Sequence, residues 1–211
     1  MNFYYMDYYN QLVLTGAVND VGTPLRQNVD RSYRRGIELG GMFKAWQNKN
    51  MAINILGNIA WSQNIIKKSP ASWVDYADYS TFDTVYENAP IAYSPNTVAS
   101  AGIQYQYLKN DYKWEFQWLH KYVSQQFLDN TGNQDRSIPA YHFSEFQIAY
   151  AQSIFKQRKI QLKFLAQNIF NQRFVNNGYT WGYLFNRELT QEVFVFPSAP
   201  FNASLALSFI W

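Results

Sequence analysis

The sequence predicts an all-β protein, a portion of an antiparallel transmembrane β-barrel with about eight long strands. Three observations support this prediction: apolar and polar residues alternate along many segments, short polar turns alternate with long connections, and aromatic residues make up 19% of the chain. Side chains of a strand point alternately to opposite faces. A barrel wall between lipid and a wet interior needs one apolar and one polar face, and Trp and Tyr gather at membrane–water interfaces.

Eight strands follow from these patterns. Their approximate bounds are Asn2 to Leu14, Asp30 to Trp46, Met51 to Gln63, Thr97 to Leu108, Tyr112 to Phe127, Tyr141 to Phe155, Ile160 to Phe174, and Phe201 to Trp211. Many of them exceed ten residues, whereas strands of soluble proteins usually have about five or six. Tilted transmembrane strands need about 9–11 residues.

The alternation differs in quality from strand to strand. The first strand has Tyr and Asn on both faces, so the sequence does not define which face would meet lipid. In the second, Arg34 and Glu38 are assigned to the lumen and Arg35 to the outside. The third, fourth, fifth and last strands alternate well. Their apolar faces carry Ile53, Ile55, Ile59 and Trp61; Ile103, Tyr105 and Tyr107; Trp114, Phe116 and Trp118; and Leu205, Leu207, Phe209 and Trp211.

The connections alternate strictly in length. The short ones are 47–50, 109–111 and 156–159, and the long ones are 15–29, 64–96, 128–140 and 175–200. Outer-membrane barrels have short periplasmic turns and longer extracellular loops. If the last strand runs down to the periplasm, all three short turns lie on the periplasmic side.

Composition excludes several classes of protein. The chain has no cysteine, which excludes disulfides and thiolate chemistry. Its net charge is only +3 and its basic residues are scattered, so a nucleic-acid partner is not expected. No apolar run approaches about 18 residues, which excludes a transmembrane helix. No signal segment opens the sequence and the first strand begins at once, so we expect the chain to be part of a longer protein.

The residues leave two other interpretations open. One is a soluble, aromatic-rich β-sandwich that binds a ligand. The other is a self-contained eight-stranded barrel that acts as an adhesin or structural anchor, because eight strands can close around their own side chains. Pairing of the first strand with the last would distinguish that barrel from part of a larger one.

The order of several segments resembles TonB-dependent outer-membrane receptors, especially the form common in Bacteroidota-type sequences. The segments are 3–16, Asn28-Val29, 32–38, Asp129-Asn130-Thr131, 138–141, Asn168-Ile169-Phe170-Asn171 with Phe174, and the terminal strand. Phe174 stands where the family usually has Tyr, and Trp211 stands where Phe is usual. The resemblance covers the whole chain.

The resemblance implies a 22-stranded barrel around an N-terminal plug. Residues 1–211 would be the C-terminal part of that barrel with its last eight strands, and the plug is absent from them. The implied protein lies in the bacterial outer membrane and imports a scarce nutrient, an iron–siderophore being favoured. TonB–ExbB–ExbD would drive this import through the missing plug. The barrel-assembly machinery would read the terminal strand, including Phe209 and Trp211.

No catalytic constellation is visible, so no enzymatic activity, cofactor or metal site is predicted. His120 and His142 lie in different strands and are interpreted as wall residues. Aromatic residues give a large contact area, and carboxylates can hydrogen-bond a polar ligand. The ligand-contact candidates are Trp73, Asp75, Tyr76, Asp78, Tyr79, Asp83, Tyr86, Glu87, Asp129 and Asn130.

Charged and polar residues on the strands give a second set of candidates, which would face the plug or the lumen. They are Arg34, Glu38, Lys113, Glu115 and Gln117. The cluster of Arg31, Arg34 and Arg35 is interpreted as plug-facing and rim charge. Contact with an anionic ligand is an alternative, as is contact with lipopolysaccharide phosphates, since Arg binds phosphate in a bidentate manner. Outer-membrane lipid and lipopolysaccharide are therefore predicted partners.

Overall fold

The structure, a computed structural model, describes residues 1–19, 21–155 and 158–210. Its strands are β1 (Asn2–Val18), β2 (Pro24–Gln47), β3 (Met51–Val74), β4 (Thr81–Pro90), β5 (Thr97–Lys109), β6 (Tyr112–Val123), β7 (Gln126–Phe127), β8 (Ser137–Ile138), β9 (Tyr141–Phe155), β10 (Arg158–Gln167), β11 (Val175–Phe185), β12 (Glu188–Pro197) and β13 (Asn202–Ile210). A 3-10 turn, Gln134–Arg136, precedes β8.

One large antiparallel sheet contains the eight strands expected from the sequence. Its order is β1-β2-β3-β5-β6-β9-β10-β13, and β4 pairs with the far part of β3. Each of these eight strands pairs antiparallel with the next of the eight, which confirms the predicted antiparallel architecture. Among the described residues, no helix has the length and apolar content needed to cross a membrane.

Short turns lie at one end of this sheet, which we call the turn end, and the opposite end is the loop end. In the turn after β2, Asn48 Oδ1 accepts hydrogen bonds from the backbone N–H groups of Asn50 and Met51 at 2.9 and 2.8 Å. In the turn after β5, Asn110 adopts a φ of 51°. Asn tolerates this left-handed conformation, which tight hairpins require. Lys156 and Gln157 of the third predicted turn lie outside the described residues.

The strand register gives the sheet two chemically different faces. One row across β3, β5, β6 and β9 consists of Ile55, Ile103, Trp118 and Phe146. The adjacent row on the opposite face consists of Asn54, Gln104, Gln117 and Gln147. Asn54 Nδ2 donates to Gln104 Oε1 at 2.9 Å within the polar row. We call these the apolar face and the polar face.

No second sheet covers the apolar face in the described part of the chain. Leu205 and Phe43 remain 68% and 67% exposed. The buried apolar cluster is small, consists of Val13, Val29, Ile66 and Ile91, and lies toward the loop end. A sandwich would instead bury a continuous core between two sheets, so the soluble-sandwich interpretation is not supported.

The long predicted connections 64–96 and 175–200 are not irregular throughout, because each contains a β-hairpin. β3 continues to Val74 and pairs with β4, while β11 pairs with β12. The second hairpin turns at Asn186 and Arg187, whose φ angles are 52° and 64°. The connection 15–29 is likewise mostly strand, since β1 runs to Val18 and β2 starts at Pro24.

Two predicted strands are too long at their loop ends. The fifth predicted strand ends at Val123, and Gln126–Phe127 forms a separate short strand that pairs with Ser137–Ile138. The seventh ends at Gln167 rather than Phe174. The physical reason is Asn168, which has a φ of 52° and whose Nδ2 donates to the carbonyls of Gln172 and Ala199 at 2.9 and 3.2 Å.

The first and last strands form the two edges of the described sheet. β1 pairs with β2, and β13 pairs with β10. The ladder of the described residues therefore runs from β1 to β13 without joining them. That these eight strands are part of a larger barrel stays a prediction.

Candidate ligand-contact site at the loop end

Asp75 joins the β3–β4 hairpin to the β11–β12 hairpin. Its side chain is buried, and its oxygens accept N–H bonds from Asn186 at 3.1 Å, Arg187 at 2.7 Å and Ala77 at 2.9 Å. The backbone N–H of Tyr76 also donates to the carbonyl of Leu184 at 2.9 Å. These bonds place the β11–β12 hairpin against the end of β3.

Asn130 is bonded to two other segments of the loop end. Its Oδ1 accepts the backbone N–H of Ala92 at 2.7 Å, and its Nδ2 donates to the carbonyl of Leu14 at 2.7 Å. Gly16 lies beside this loop with a φ of 89°, and a Cβ built on it would lie 2.6 Å from Asp129 Cβ. Only glycine tolerates both the left-handed φ and the close approach.

A buried ion pair holds the loop after β7. Arg136 Nε lies 2.8 Å from Asp129 Oδ2, and both side chains are about 5% exposed or less. These two atoms are close but misaligned, so neither has a hydrogen bond of normal geometry, and Arg136 Nη1 has no partner among the described residues. Asp129 Oδ1 accepts from Thr131 N at 3.0 Å and Thr131 Oγ1 at 2.6 Å.

Tyr93 is a further anchor beneath the hairpin. Its hydroxyl donates to the carbonyl of Gly178 in β11 at 2.9 Å. Burial raises the pKa of Tyr93, and the nearby Asp129 carboxylate raises it further. The hydroxyl therefore stays protonated and able to donate well above neutral pH.

A cleft of about 360 Å³ lies between these segments. Its aromatic lining consists of Trp73, Tyr76, Tyr86, Trp181 and Tyr183. Its polar lining includes Asp129, Asn130, Thr131 and Arg136. The Arg136 guanidinium lies over the Trp73 ring, 5.9 Å from its centroid. An aromatic cleft with a few placed polar groups is a common form of small-molecule binding site.

The predicted ligand-contact residues divide into two groups. Trp73, Tyr76, Tyr86, Asp129 and Asn130 line the cleft. The others lie outside its lining: Asp75 at the hairpin junction, Asp78 and Tyr79 in the turn after β3, and Asp83 and Glu87 on β4. Contact with a ligand stays a prediction for all ten.

The members outside the cleft have other local contacts. Asp78 Oδ1 accepts from Ser80 N at 2.9 Å and from Ser80 Oγ at 2.5 Å, and these bonds lower the pKa of Asp78. Asp83 Oδ1 accepts from Ser72 Oγ at 2.6 Å. Tyr79 is 76% exposed. Such local bonds shape the β3–β4 hairpin.

Four residues that line the cleft are not among those predicted from the sequence: Arg136, Thr180, Trp181 and Tyr183. Trp181 and Tyr183 pack together, with ring centroids 5.1 Å apart. The available signal was the alternation of Tyr179, Trp181 and Tyr183, which is typical of a strand. The same segment lies within the long connection 175–200, which the sequence predicts as a loop.

The predicted lumen-facing residues lie on the polar face of the sheet. Arg34 Nη1 donates to Asn64 Oδ1 at 3.3 Å and to Ser94 Oγ at 3.2 Å. Lys113 and Glu115 form an ion pair of 3.0 Å. Glu38 Oε2 accepts from Asn2, and Gln117 lies between Gln104 and Gln147. Their contact with a plug stays a prediction.

His120 and His142 come together on neighbouring strands, with ring centroids 5.2 Å apart. His120 Nδ1 lies 2.8 Å from Ser144 Oγ. In the described part of the chain, no group of three or more His, Cys, Asp or Glu side chains is arranged to hold a metal ion. The pair is a local feature of the strand surface.

Comparison with protein families now identifies the fold. Residues 1–171 match the family model described as "TonB dependent receptor-like, beta-barrel". The chain belongs to the TonB-dependent receptor β-barrel family. This family consists of outer-membrane receptors and transporters rather than enzymes. A search of curated proteins gave no match.

Two solved structures of this receptor class are similar to the whole chain. One is the siderophore receptor PiuA from Acinetobacter baumannii, with a TM-score of 0.56, 15% identity and coverage of 99% of this chain and 25% of that one. The other is the ferric-catecholate import receptor Fiu from K12 E. coli in its closed form. Its TM-score is 0.52, its identity is 14%, and the match covers 99% of this chain and 24% of that one. At these identities the likeness shows the fold alone. The TonB-dependent receptor chain described here spans about a quarter of each of these receptors.

Proposed function

We propose that the chain forms part of the outer-membrane wall of a TonB-dependent receptor, and that its loop-end cleft contacts the imported ligand. The observation that carries the proposal is the position of the cleft. Its aromatic lining comes from the β3–β4 and β11–β12 hairpins. Both hairpins extend from the loop end of a sheet that has one apolar and one polar face.

Location in the bacterial outer membrane is supported by that apolar face. Its Ile, Leu, Phe and Trp side chains form continuous rows across neighbouring strands, and many are about half exposed. In water each exposed apolar side chain would cost free energy in proportion to its area. In a bilayer the same rows contact hydrocarbon.

An iron–siderophore is the substrate class that we propose. Ferric catecholate complexes combine planar aromatic rings with net negative charge. Trp181 and Tyr183 offer stacking surfaces, and Arg136 offers a buried cation with an unpaired Nη1 donor. The Asp129 carboxylate offsets part of that charge, so the cleft would favour a ligand that brings several acceptor oxygens.

The rest of the transport cycle is proposed from the family. TonB–ExbB–ExbD would act through a plug domain that lies outside these 211 residues. Phe209, which is 57% exposed on the apolar face of β13, is proposed to help the barrel-assembly machinery recognise the terminal strand. Trp211, the other proposed assembly residue, lies outside the described residues.

The test is uptake of the ⁵⁵Fe complex of a tris-catecholate by cells that carry the full receptor. We expect Trp181→Ala with Tyr183→Ala to lower uptake at least tenfold while receptor abundance in the outer membrane is unchanged. Phe185→Ala is the matched control, because Phe185 is 52% exposed on the same hairpin and does not line the cleft. Equal uptake by both variants would contradict ligand contact by the cleft.

A further inference from the structure

Three cations lie together on the apolar face of the sheet, near its loop end. Arg31 and Arg35 come from β2 and Lys67 from β3, and all three are exposed. The register places Arg35 between Tyr5 of β1 and Gln63 of β3. We call Arg31, Arg35 and Lys67 the rim cations.

Apolar side chains lie directly below the rim cations on the same face. The next row toward the turn end is Phe3, Ile37 and Trp61. A shallow groove lined by Phe3, Tyr5, Arg35, Ile37 and Trp61 runs between the two levels. A bound molecule could therefore place an apolar chain along Ile37 and Trp61 while its polar end reaches Arg35.

Tyrosine rings separate the rim cations from one another. The Arg35 guanidinium lies 5.6 Å and the Lys67 ammonium 5.1 Å from the centroid of the same Tyr33 ring. Tyr5 stacks on Tyr33 at 6.0 Å. A layer of Tyr above an apolar band is the pattern found at the membrane–water interface.

The height of the rim cations agrees with an interface. Arg35 lies twelve residues before Gln47, which ends β2 at the turn end. Twelve residues of strand span about 40 Å, and a tilt of about 45° reduces this to roughly 28 Å, close to the apolar band of about 25 Å of outer-membrane barrels. If the turn end lies at one membrane surface, Arg35 lies at the other.

The positive charge of the rim is only partly compensated. Asp7 pairs with Arg31, with Arg31 Nη2 at 2.8 Å from Asp7 Oδ2. Arg35 Nε donates to the neutral amide of Gln63 at 2.8 Å, and Lys67 Nζ donates to that of Asn88 at 3.4 Å. Among the described residues neither cation forms an ion pair, although the Asp7 carboxylate also attracts Lys67 from a greater distance. Two cations therefore remain available for an anion.

We propose that the rim cations bind the phosphate groups of an anionic outer-leaflet lipid, lipopolysaccharide, whose acyl chains lie along the groove beneath Arg35. Guanidinium groups bind phosphate in a bidentate manner, and an ammonium group contributes a point charge. The proposal rests on the membrane location proposed above. It assigns the outward arginines of β2 to lipid and leaves the cleft to the imported ligand.

The experiment measures binding of bisphosphorylated lipid A and of its dephosphorylated counterpart to the full receptor in detergent, by native mass spectrometry. Arg35→Gln with Lys67→Gln should weaken binding of the phosphorylated lipid roughly tenfold or more. Lys44→Gln with Lys163→Gln is the matched control, since both lysines lie on the polar face and the same charge is removed. The control should bind as the wild type does.

A second variant should strengthen lipid binding at the same site. Asp7→Asn removes the carboxylate that neutralises Arg31, so binding of the phosphorylated lipid should rise several-fold. Equal binding of both lipids, or full competition by inorganic phosphate at the concentration of the lipid, would overturn the proposal. If neither lipid bound and the receptor stayed monomeric without detergent, the membrane location itself would fail.

Discussion

The Asp75 carboxylate accepts the backbone N–H of Arg187 at 2.7 Å, and the two residues are 112 positions apart in the sequence. This bond and the one from Asn186 fix the tip of the β11–β12 hairpin to the end of β3. A buried carboxylate that does not itself line the cleft therefore helps to hold the aromatic side of the cleft, together with the bonds from Tyr76 to Leu184 and from Tyr93 to Gly178.

Replacement of Asp75 by Ala should free this hairpin. The backbone N–H groups of Ala77, Asn186 and Arg187 would lose their acceptor, and each unsatisfied polar group that stays buried costs about 1–3 kcal/mol. We expect faster proteolytic cleavage near Arg187 in the intact receptor. Asp78→Ala is the control, because Asp78 is exposed and bonds only within its own turn. Equal cleavage rates in the two variants would show that the hairpin is held by other contacts.

Gly16→Ala should impair assembly of the loop end far more than Gly22→Ala. Both glycines have positive φ, 89° and 79°, so each alanine pays a backbone cost of about 1–2 kcal/mol. Only at Gly16 would the new Cβ also collide with Asp129. The measurement is the fraction of receptor in outer membranes that shows the heat-dependent gel mobility of a folded barrel. Similar fractions for the two variants would exclude this close approach.

The buried Asp129–Arg136 pair should respond strongly to the loss of one partner. Asp129→Asn leaves a guanidinium buried without its counter-charge, which costs about 3–5 kcal/mol. The double variant Asp129→Asn with Arg136→Gln should recover part of this loss. Unfolding of the receptor by urea in lipid vesicles measures both effects. The single variant Arg136→Gln completes the comparison. If the double variant lost as much stability as the two single variants lose together, the two charges would not interact.

Tyr93 should make the hairpin sensitive to alkaline pH. Its pKa in the folded protein is raised above the usual value of about 10 by burial and by Asp129. Its contribution to stability is therefore complete below about pH 10 and is lost as the pH rises through the raised value. Proteolysis of the β11–β12 hairpin should accelerate in that window in the wild type. Tyr93→Phe should show no such acceleration, and a parallel rise in the variant would assign the effect to another group.

Two adjacent residues test which face of the sheet meets lipid. Ile103 belongs to the apolar row and Gln104 to the polar row. Ile103→Lys should cost roughly 2–4 kcal/mol near the membrane midplane, whereas Gln104→Lys should cost much less. The folded fraction in lipid vesicles measures the difference. Equal effects of the two substitutions would contradict the assignment of the faces.

The large sheet could be predicted from the sequence because apolar and polar residues alternate along its strands. The bounds of the strand from Tyr141 to Phe155 were predicted as the structure has them, and the rows through Ile103 and Gln104 follow the predicted alternation. The period of two is a local property, so a single strand displays it without knowledge of its neighbours.

The cleft could be predicted only in part, because it depends on contacts between distant segments. Trp73 and Tyr86 lie within one predicted loop, so their composition was enough to select them. Arg136 and Trp181 become neighbours of that loop through long-range bonds such as those of Asp75 and Asn130, and the period of the sequence does not predict such bonds. Asp75 was selected for its charge, yet that charge is used to hold a turn.

The small buried cluster of Val13, Val29, Ile66 and Ile91 has a consequence for every stability measurement on this protein. Because this sheet buries few apolar side chains of its own, its stability depends strongly on the lipid or detergent that covers its apolar face. The midpoint of an unfolding transition measured in one detergent thus depends on both the sequence and the detergent. Variants should be ranked only within a single bilayer composition, and a change of acyl-chain length should shift the whole series together.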